Sequence, residues 1–180
     1  DRVKSSARST KQTPAMDKLI NRRDLDFILY EVLNVDELVA RERYSAHDRE
    51  TFDAVIDAAC KLATDQFEPH AAELDACEPA YEDGRVRIIP AVKTALDKYC
   101  EAGFMGAGSD YEYGGMQLPW VVVQGCNAYF NAANISTTAY PFITVAAANL
   151  LAAYGSPEQK QRYLEPLVAG RFFGTMALSE

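Results

Sequence analysis

From residue 24 to residue 168, apolar side chains recur three and four positions apart with polar ones between them. That period is helical. Leu25, Ile28, Leu29 and Val32 form the first apolar stripe, with Asp24 placed as its cap, and 35–44 reads as a second short helix. The clearest amphipathic stretch is 48–67. Phe52, Val55, Ile56, Ala59, Cys60, Ala63 and Phe67 lie on one face opposite a charged one, and Pro69 kinks or ends the helix. Glu82-Asp83-Gly84-Arg85 is turn chemistry, and 86–89 reads as one short extended piece. Val92, Leu96 and Tyr99 then share a face in 91–101, which Gly103 terminates.

Two later stretches, 118–131 and 139–154, are apolar nearly all round. Helices without a polar face are buried ones, so Val122, Cys126, Ile143, Ala147, Leu150 and Leu151 are expected in the core. The next helix announces itself locally. Ser156-Pro157-Glu158-Gln159 has the form of a capping box, Tyr163, Leu164, Leu167 and Val168 follow at helical spacing, and Gly170 is placed to stop it. Residues 171–180 are short, apolar and partly aromatic, which predicts a strand. The fold class is therefore all-α. A helical bundle over 23–170 is preceded by a basic, serine-rich, flexible segment over 1–22 and followed by the first strand of a β domain at 171–180.

Charge and composition narrow the function. The net charge of −8 over 180 residues gives no electrostatic support for a nucleic-acid partner. No uninterrupted apolar run approaches the roughly 20 residues of a membrane span. Cys60, Cys77, Cys100 and Cys126 form no C-x-x-C pair, which reads as reduced thiols in a cytoplasmic protein. His47 and His70, the only histidines, stand near acids such as Glu68 and Glu73 without metal-ligand spacing, so they are expected on the solvated surface. No Ser nucleophile motif is present, and no residue is assigned a catalytic or metal-binding role. The glycine-rich, aromatic stretch 103–119 lacks the Lys-Ser/Thr ending of a phosphate loop.

Two motifs carry a resemblance. The helix with Glu158-Gln159-Lys160-Gln161-Arg162-Tyr163-Leu164, then Gly170, then Gly174-Thr175-Met176-Ala177-Leu178-Ser179-Glu180, is similar to the acyl-CoA dehydrogenases, where such a helix leads into a strand ending in Leu-(Thr/Ser)-Glu. Asp110-Tyr111-Glu112-Tyr113-Gly114-Gly115-Met116-Gln117-Leu118 resembles the same family's Tyr-Gly-Gly turn. The opening Arg23-Asp24-Leu25-Asp26-Phe27-Ile28-Leu29-Tyr30-Glu31-Val32-Leu33 resembles the bacterial subgroup that includes 3-methylmercaptopropionyl-CoA dehydrogenases. The resemblance runs over 23–180 and covers the family's N-terminal helical domain and the first edge of its central β domain.

Small and polar groups at Thr137, Thr138 and Tyr140, at the entry of an apolar helix, suit a pocket wall; plain core packing is the other reading. The resemblance implies that this helix lines an acyl-chain cavity, with Thr138, Ala139, Phe142, Ile143 and Ala146 facing the acyl chain and the bulk of Phe142 shortening the pocket. It also implies FAD contacts at Met176, Leu178 and Ser179. There the backbone N–H groups of Leu178 and Ser179 and the Ser179 hydroxyl would steady the flavin ring. Such enzymes oxidise an acyl-CoA to the trans-2-enoyl-CoA, with a glutamate taking the α-proton while the β-hydrogen leaves as hydride to the flavin. The resemblance places that glutamate and most FAD contacts outside this chain. It further implies an electron-transfer flavoprotein as electron acceptor and a homo-oligomer. A non-catalytic helical interaction module is the alternative, since the bundle is complete before residue 171 and shows no acid–base pair.

Overall fold

The computed structural model describes residues 18–175 and 177. The first helix, α1 (Arg22–Asp26), is capped by Asn21, whose side-chain oxygen accepts from the Arg23 N–H at 3.1 Å. Asp24, expected as the cap, instead stands in the first turn, where its charge faces the positive end of the helix. The helix widens into a π turn at Phe27–Val32, and short 3-10 turns follow at Val35–Ala40 and Glu42–Tyr44. Arg22 fastens this opening to the next helix. Its guanidinium bonds Asp26 at 2.7 Å and Asp53 at 2.9 Å and also pairs with Asp57, while the Tyr30 hydroxyl donates to Asp53 at 2.8 Å.

α2 (Arg49–Leu62) begins as expected. The Asp48 carboxylate accepts from the Thr51 N–H at 2.7 Å, and a π turn at Ala63–Phe67 extends the helix. Phe52, Ile56, Ala59, Cys60, Ala63 and Phe67 are buried on its inner face. At Pro69 the chain bends through a 3-10 turn, Glu68–His70, into α3 (Ala71–Ala76). His70 is not on the surface. It is 4% exposed, because its ring turns inward to a hydrogen-bond partner far along the chain. The extended piece is the second strand of a hairpin. β1 (Ala80–Glu82) pairs antiparallel with β2 (Arg85–Arg87) across Asp83-Gly84, both with positive φ, as a tight hairpin turn requires.

α4 (Pro90–Glu101) buries Val92, Ala95, Leu96 and Tyr99, and Gly103 at φ 80° ends it. Tyr99, Phe67 and Phe104 surround Phe130 at ring-centroid distances of 4.9, 5.0 and 5.1 Å, the aromatic centre of the core. Phe130 belongs to α5 (Trp120–Tyr154), where the two expected helices run together through a kink at Asn134. Val122 and Cys126 in the first half are buried. In the second half Ile143, Ala147 and Leu151 are only partly buried, and Leu150 is 63% exposed. That half packs one face on the bundle and leaves the other uncovered. α5 is long and apolar enough, by length and composition, to cross a membrane, with a mean hydropathy of 1.3 in its most apolar window.

α6 (Pro157–Gln159) runs through a π turn at Lys160–Leu164 into α7 (Glu165–Val168). The capping box is present in both directions: the Gln159 N–H donates to Ser156 Oγ at 3.3 Å and the Ser156 N–H to Gln159 Oε1 at 2.8 Å. Leu164, Leu167 and Val168 pack on Ala148 as a second small cluster. Gly170, at φ 69°, closes the helix with N–H bonds from Gly170 to the Leu167 carbonyl and from Arg171 to that of Pro166. Residues 171–175 and 177 form no strand. The Gly174 N–H donates to the Thr144 hydroxyl at 3.1 Å, a side-chain anchor in place of a ladder.

Candidate functional site

A cleft of about 270 Å³ lies between the two halves of α5 and the segment after α4. Trp120, Val123, Gln124, Asn127 and Asn131 line it from the first half; Thr138, Pro141, Phe142, Val145, Ala146 and Asn149 line it from the second. Tyr99, Phe104, Met105 and the backbone around 107–109 complete the wall.

The kink that opens this cleft has a local cause. Asn134 leaves the helical conformation (φ −165°, ψ 91°), and its side-chain oxygen accepts from the Thr137 N–H at 3.0 Å, so it caps the second half of α5. Its amide nitrogen donates to the Phe67 carbonyl at 3.2 Å, tying the kink to the end of the α2 rod. The Thr138 hydroxyl donates back to the Asn134 carbonyl at 2.9 Å, and His70 Nε2 lies 2.9 Å from Thr137 Oγ1. Four buried polar groups are thereby satisfied inside an otherwise apolar contact. They fix the direction in which Thr138, Phe142 and Ala146 point.

The Tyr-Gly-Gly turn braces the opposite wall from behind. The N–H groups of Met116, Gln117 and Leu118 donate to the carbonyls of Gly106, Ser109 and Ala107 at 3.0, 2.9 and 2.9 Å. This ladder holds 104–109 against α5. Gly114 sits at φ 80°, and a Cβ on Gly115 would drive into the Ser109 carbonyl, so both glycines are needed for the return of the loop. Outside the loop, Gln117 donates from its amide to the Arg43 carbonyl at 2.6 Å, and Arg43 pairs with Asp110.

Among the described residues no charged side chain lines the cleft. Burial pushes the Cys126 thiol up to about 12 and the Cys100 thiol up to about 11, so neither is a nucleophile at neutral pH. Among the described residues no acidic, His and Cys cluster could hold a metal ion. The arrangement can seat a neutral, largely apolar chain and shield it from water.

Of the residues expected to face an acyl chain, Thr138, Phe142 and Ala146 line the cleft together. Ala139 and Ile143 do not; each is one position, about 100°, further round the helix. Met176, Leu178 and Ser179 lie outside the described residues. Sequence reasoning missed the amides Gln124, Asn127, Asn131 and Asn149, and the aromatic Trp120. Their signal was an amide pattern on a helix with no charge to compete with it.

The family model for the acyl-CoA dehydrogenase N-terminal domain matches residues 49–171. The chain is 30% identical over 158 residues to the 3-methylmercaptopropionyl-CoA dehydrogenase of Ruegeria pomeroyi, a match covering 88% of this chain and 27% of the relative. It is 28% identical over 166 residues to the butyryl-CoA dehydrogenase of Syntrophomonas wolfei, covering 90% of this chain and 27% of that protein. With the mitochondrial isovaleryl-CoA dehydrogenase of Oryza sativa the identity is 26% over 157 residues, covering 83% and 36%. The chain thus spans about a quarter to a third of the length of these relatives. Matched from α2 to the end of α7, with the glycine turn and the capped helix in the family's order, the chain belongs to the acyl-CoA dehydrogenase family and holds its N-terminal helical domain.

Proposed function

We propose that this chain is the N-terminal part of an FAD-dependent acyl-CoA dehydrogenase and that its cleft receives the acyl chain. The observation that carries this reading is the uncharged cleft along the kinked helix, where Thr138, Phe142 and Ala146 meet. The reaction is oxidation of an acyl-CoA to the trans-2-enoyl-CoA. A carboxylate takes the α-proton and the β-hydrogen leaves as hydride. Among the described residues no carboxylate lines the cleft; on this reading the base comes from outside this chain, and the 180 residues alone are inactive. What this chain contributes is binding and orientation of the acyl chain and exclusion of water.

The donors at the chain's end suit a flavin. The segment just before Met176 is tied to α5 through the Gly174–Thr144 bond. By the resemblance at Met176, Leu178 and Ser179, the backbone N–H groups of Leu178 and Ser179 and the Ser179 hydroxyl would hold the ring. FAD, when bound there, supplies the hydride acceptor. The same reading makes an electron-transfer flavoprotein the electron acceptor, a homo-oligomer the assembled form and the cytoplasm the compartment. The names of the relatives mention methylmercaptopropionyl, butyryl and isovaleryl groups, so family membership leaves the acyl group of this chain open.

The test uses the longer polypeptide that carries this domain. It is expected to purify yellow, to bleach anaerobically on addition of an acyl-CoA, and to yield the enoyl-CoA. A colourless protein with no enoyl product would overturn the reading. A non-catalytic interaction module, the second reading, draws on the uncovered apolar face of α5, and it predicts that colourless outcome.

A further inference from the structure

α5 has 35 residues and not one is charged. The water-facing sides of the other helices are charged, as Asp57 and Lys61 on α2 and Lys93, Asp97 and Lys98 on α4 show. Where α5 meets the cleft, its polar positions are amides instead, apart from Thr138, whose hydroxyl donates to the Asn134 carbonyl. Gln124, Asn127 and Asn131 are spaced three and four apart, so they form one row, about 10 Å long, on a single helix face. Asn149 faces the same cleft from the second half of α5.

These amides differ from Asn134 on the same helix. Asn134 uses both ends of its amide within the fold. The side chains of Gln124, Asn127, Asn131 and Asn149 make no hydrogen bond among the described residues, so their donors and acceptors are available to a ligand. Asn127 is already half-buried in a cleft that Phe104, Val123 and Val145 also line. A hydrocarbon chain filling the cleft would strip water from this row and return no bond, which is costly for a carboxamide. A chain with an oxygen at the right depth would pair with it. A carboxylate or ammonium on the chain would find no counter-charge among the described residues, none of which is charged at the wall.

We infer that the cleft selects an acyl chain carrying a neutral hydrogen-bonding oxygen, a hydroxyl or a carbonyl, over a plain hydrocarbon chain of the same length. The inference rests on reading the cleft as the acyl site. Gln124, Asn127 and Asn131 are then the specificity-determining residues, because a site built to hydrogen-bond a substituent discriminates against the analogue that lacks it.

Trp120, the chain's only tryptophan, lines the cleft, so its fluorescence reports occupancy. The 180-residue chain is titrated with the octanoyl thioester of N-acetylcysteamine and with its forms hydroxylated at the middle or the end of the chain. At least one hydroxylated form is expected to bind at least about fivefold tighter than octanoyl, the worth of a single net hydrogen bond. Asn127→Leu and Asn131→Leu are expected to erase that preference. Should Asn127→Leu fail to fold by circular dichroism, the exposed Gln124→Leu and Asn131→Leu carry the test. Octanoyl binding as tightly as every hydroxylated form would overturn the inference and leave the acyl cleft standing. A hydroxyl preference that persists in the variants would likewise overturn it. No saturable response to any thioester would overturn both the inference and the acyl reading.

Discussion

Single residues show where this domain has no slack. Gly170 needs its left-handed φ of 69° to end α7, and a Cβ there would strike both Sγ and Cβ of Cys100. Gly170→Ala should therefore lose about 1–3 kcal/mol by thermal or denaturant unfolding, from strain and clash together. The loss should persist in a Cys100→Ala background, because the Cβ of residue 100 remains in the way. Full rescue by Cys100→Ala would show that the sulfur alone was responsible. Tyr129 presents the opposite case. Its ring is wholly buried, and its hydroxyl is the one buried side-chain polar atom without a partner among the described residues. Burying that hydroxyl costs free energy that no bond returns. Tyr129→Phe should leave the melting temperature unchanged or raise it. A clear fall would reveal a partner such as an ordered water.

At the scale of elements, what was legible in the sequence was what is decided within one turn. The Ser156–Gln159 box and Gly103 act on backbone groups a few residues away, and both stand where the pattern put them. Partners distant in sequence were not legible. His70 reads as a surface histidine because Thr137, which satisfies it, is 67 residues further on. The strand at 80–82 is invisible until β2 folds against it. The apolar run at 139–154 says that the helix avoids water, but not what shields it. Leu150 is accordingly exposed where a core position was expected. Of the five positions expected to face an acyl chain, Thr138, Phe142 and Ala146 line the cleft while Ala139 and Ile143 stand one position round the helix from it, a choice of face that only the kink fixes. That kink is itself testable. Asn134→Ala removes a helix cap and the donor to the Phe67 carbonyl, so it should cost about 1–3 kcal/mol. Because the kink sets one wall of the cleft, Trp120 emission should shift in the folded variant. An unshifted spectrum would mean that the cleft keeps its shape without the cap.

Over the whole molecule, two properties follow from burial and from its absence. Cys100 and Cys126 are held above the ordinary thiol value of 9.0, up to about 11 and about 12 respectively, by burial. As pH rises past 9.0 the unfolded chain releases these protons while the folded chain keeps them, so stability falls across that window and is unaffected below it. The melting temperature should drop between neutral pH and the middle of the window, and Cys126→Ala should flatten that drop. A slope unchanged by Cys126→Ala would assign the alkaline loss to other groups. The second property concerns the uncovered side of α5. Ile135, Phe142 and Leu150 are 64%, 74% and 63% exposed on a helix with no charge to keep chains apart. Exposed apolar surface of this kind is a site of association. By itself the 180-residue chain should self-associate as concentration rises, followed by light scattering after size exclusion. Leu150→Glu places a charge on the exposed face without touching the core. It should shift the chain toward monomer with little change in melting temperature, as surface substitutions usually do. A wild-type chain that stays monomeric at high concentration would show that this face is compatible with water. Equal association of wild type and Leu150→Glu would move the sticky surface elsewhere, to the exposed Phe27, Ile28 and Val32 of the π turn after α1.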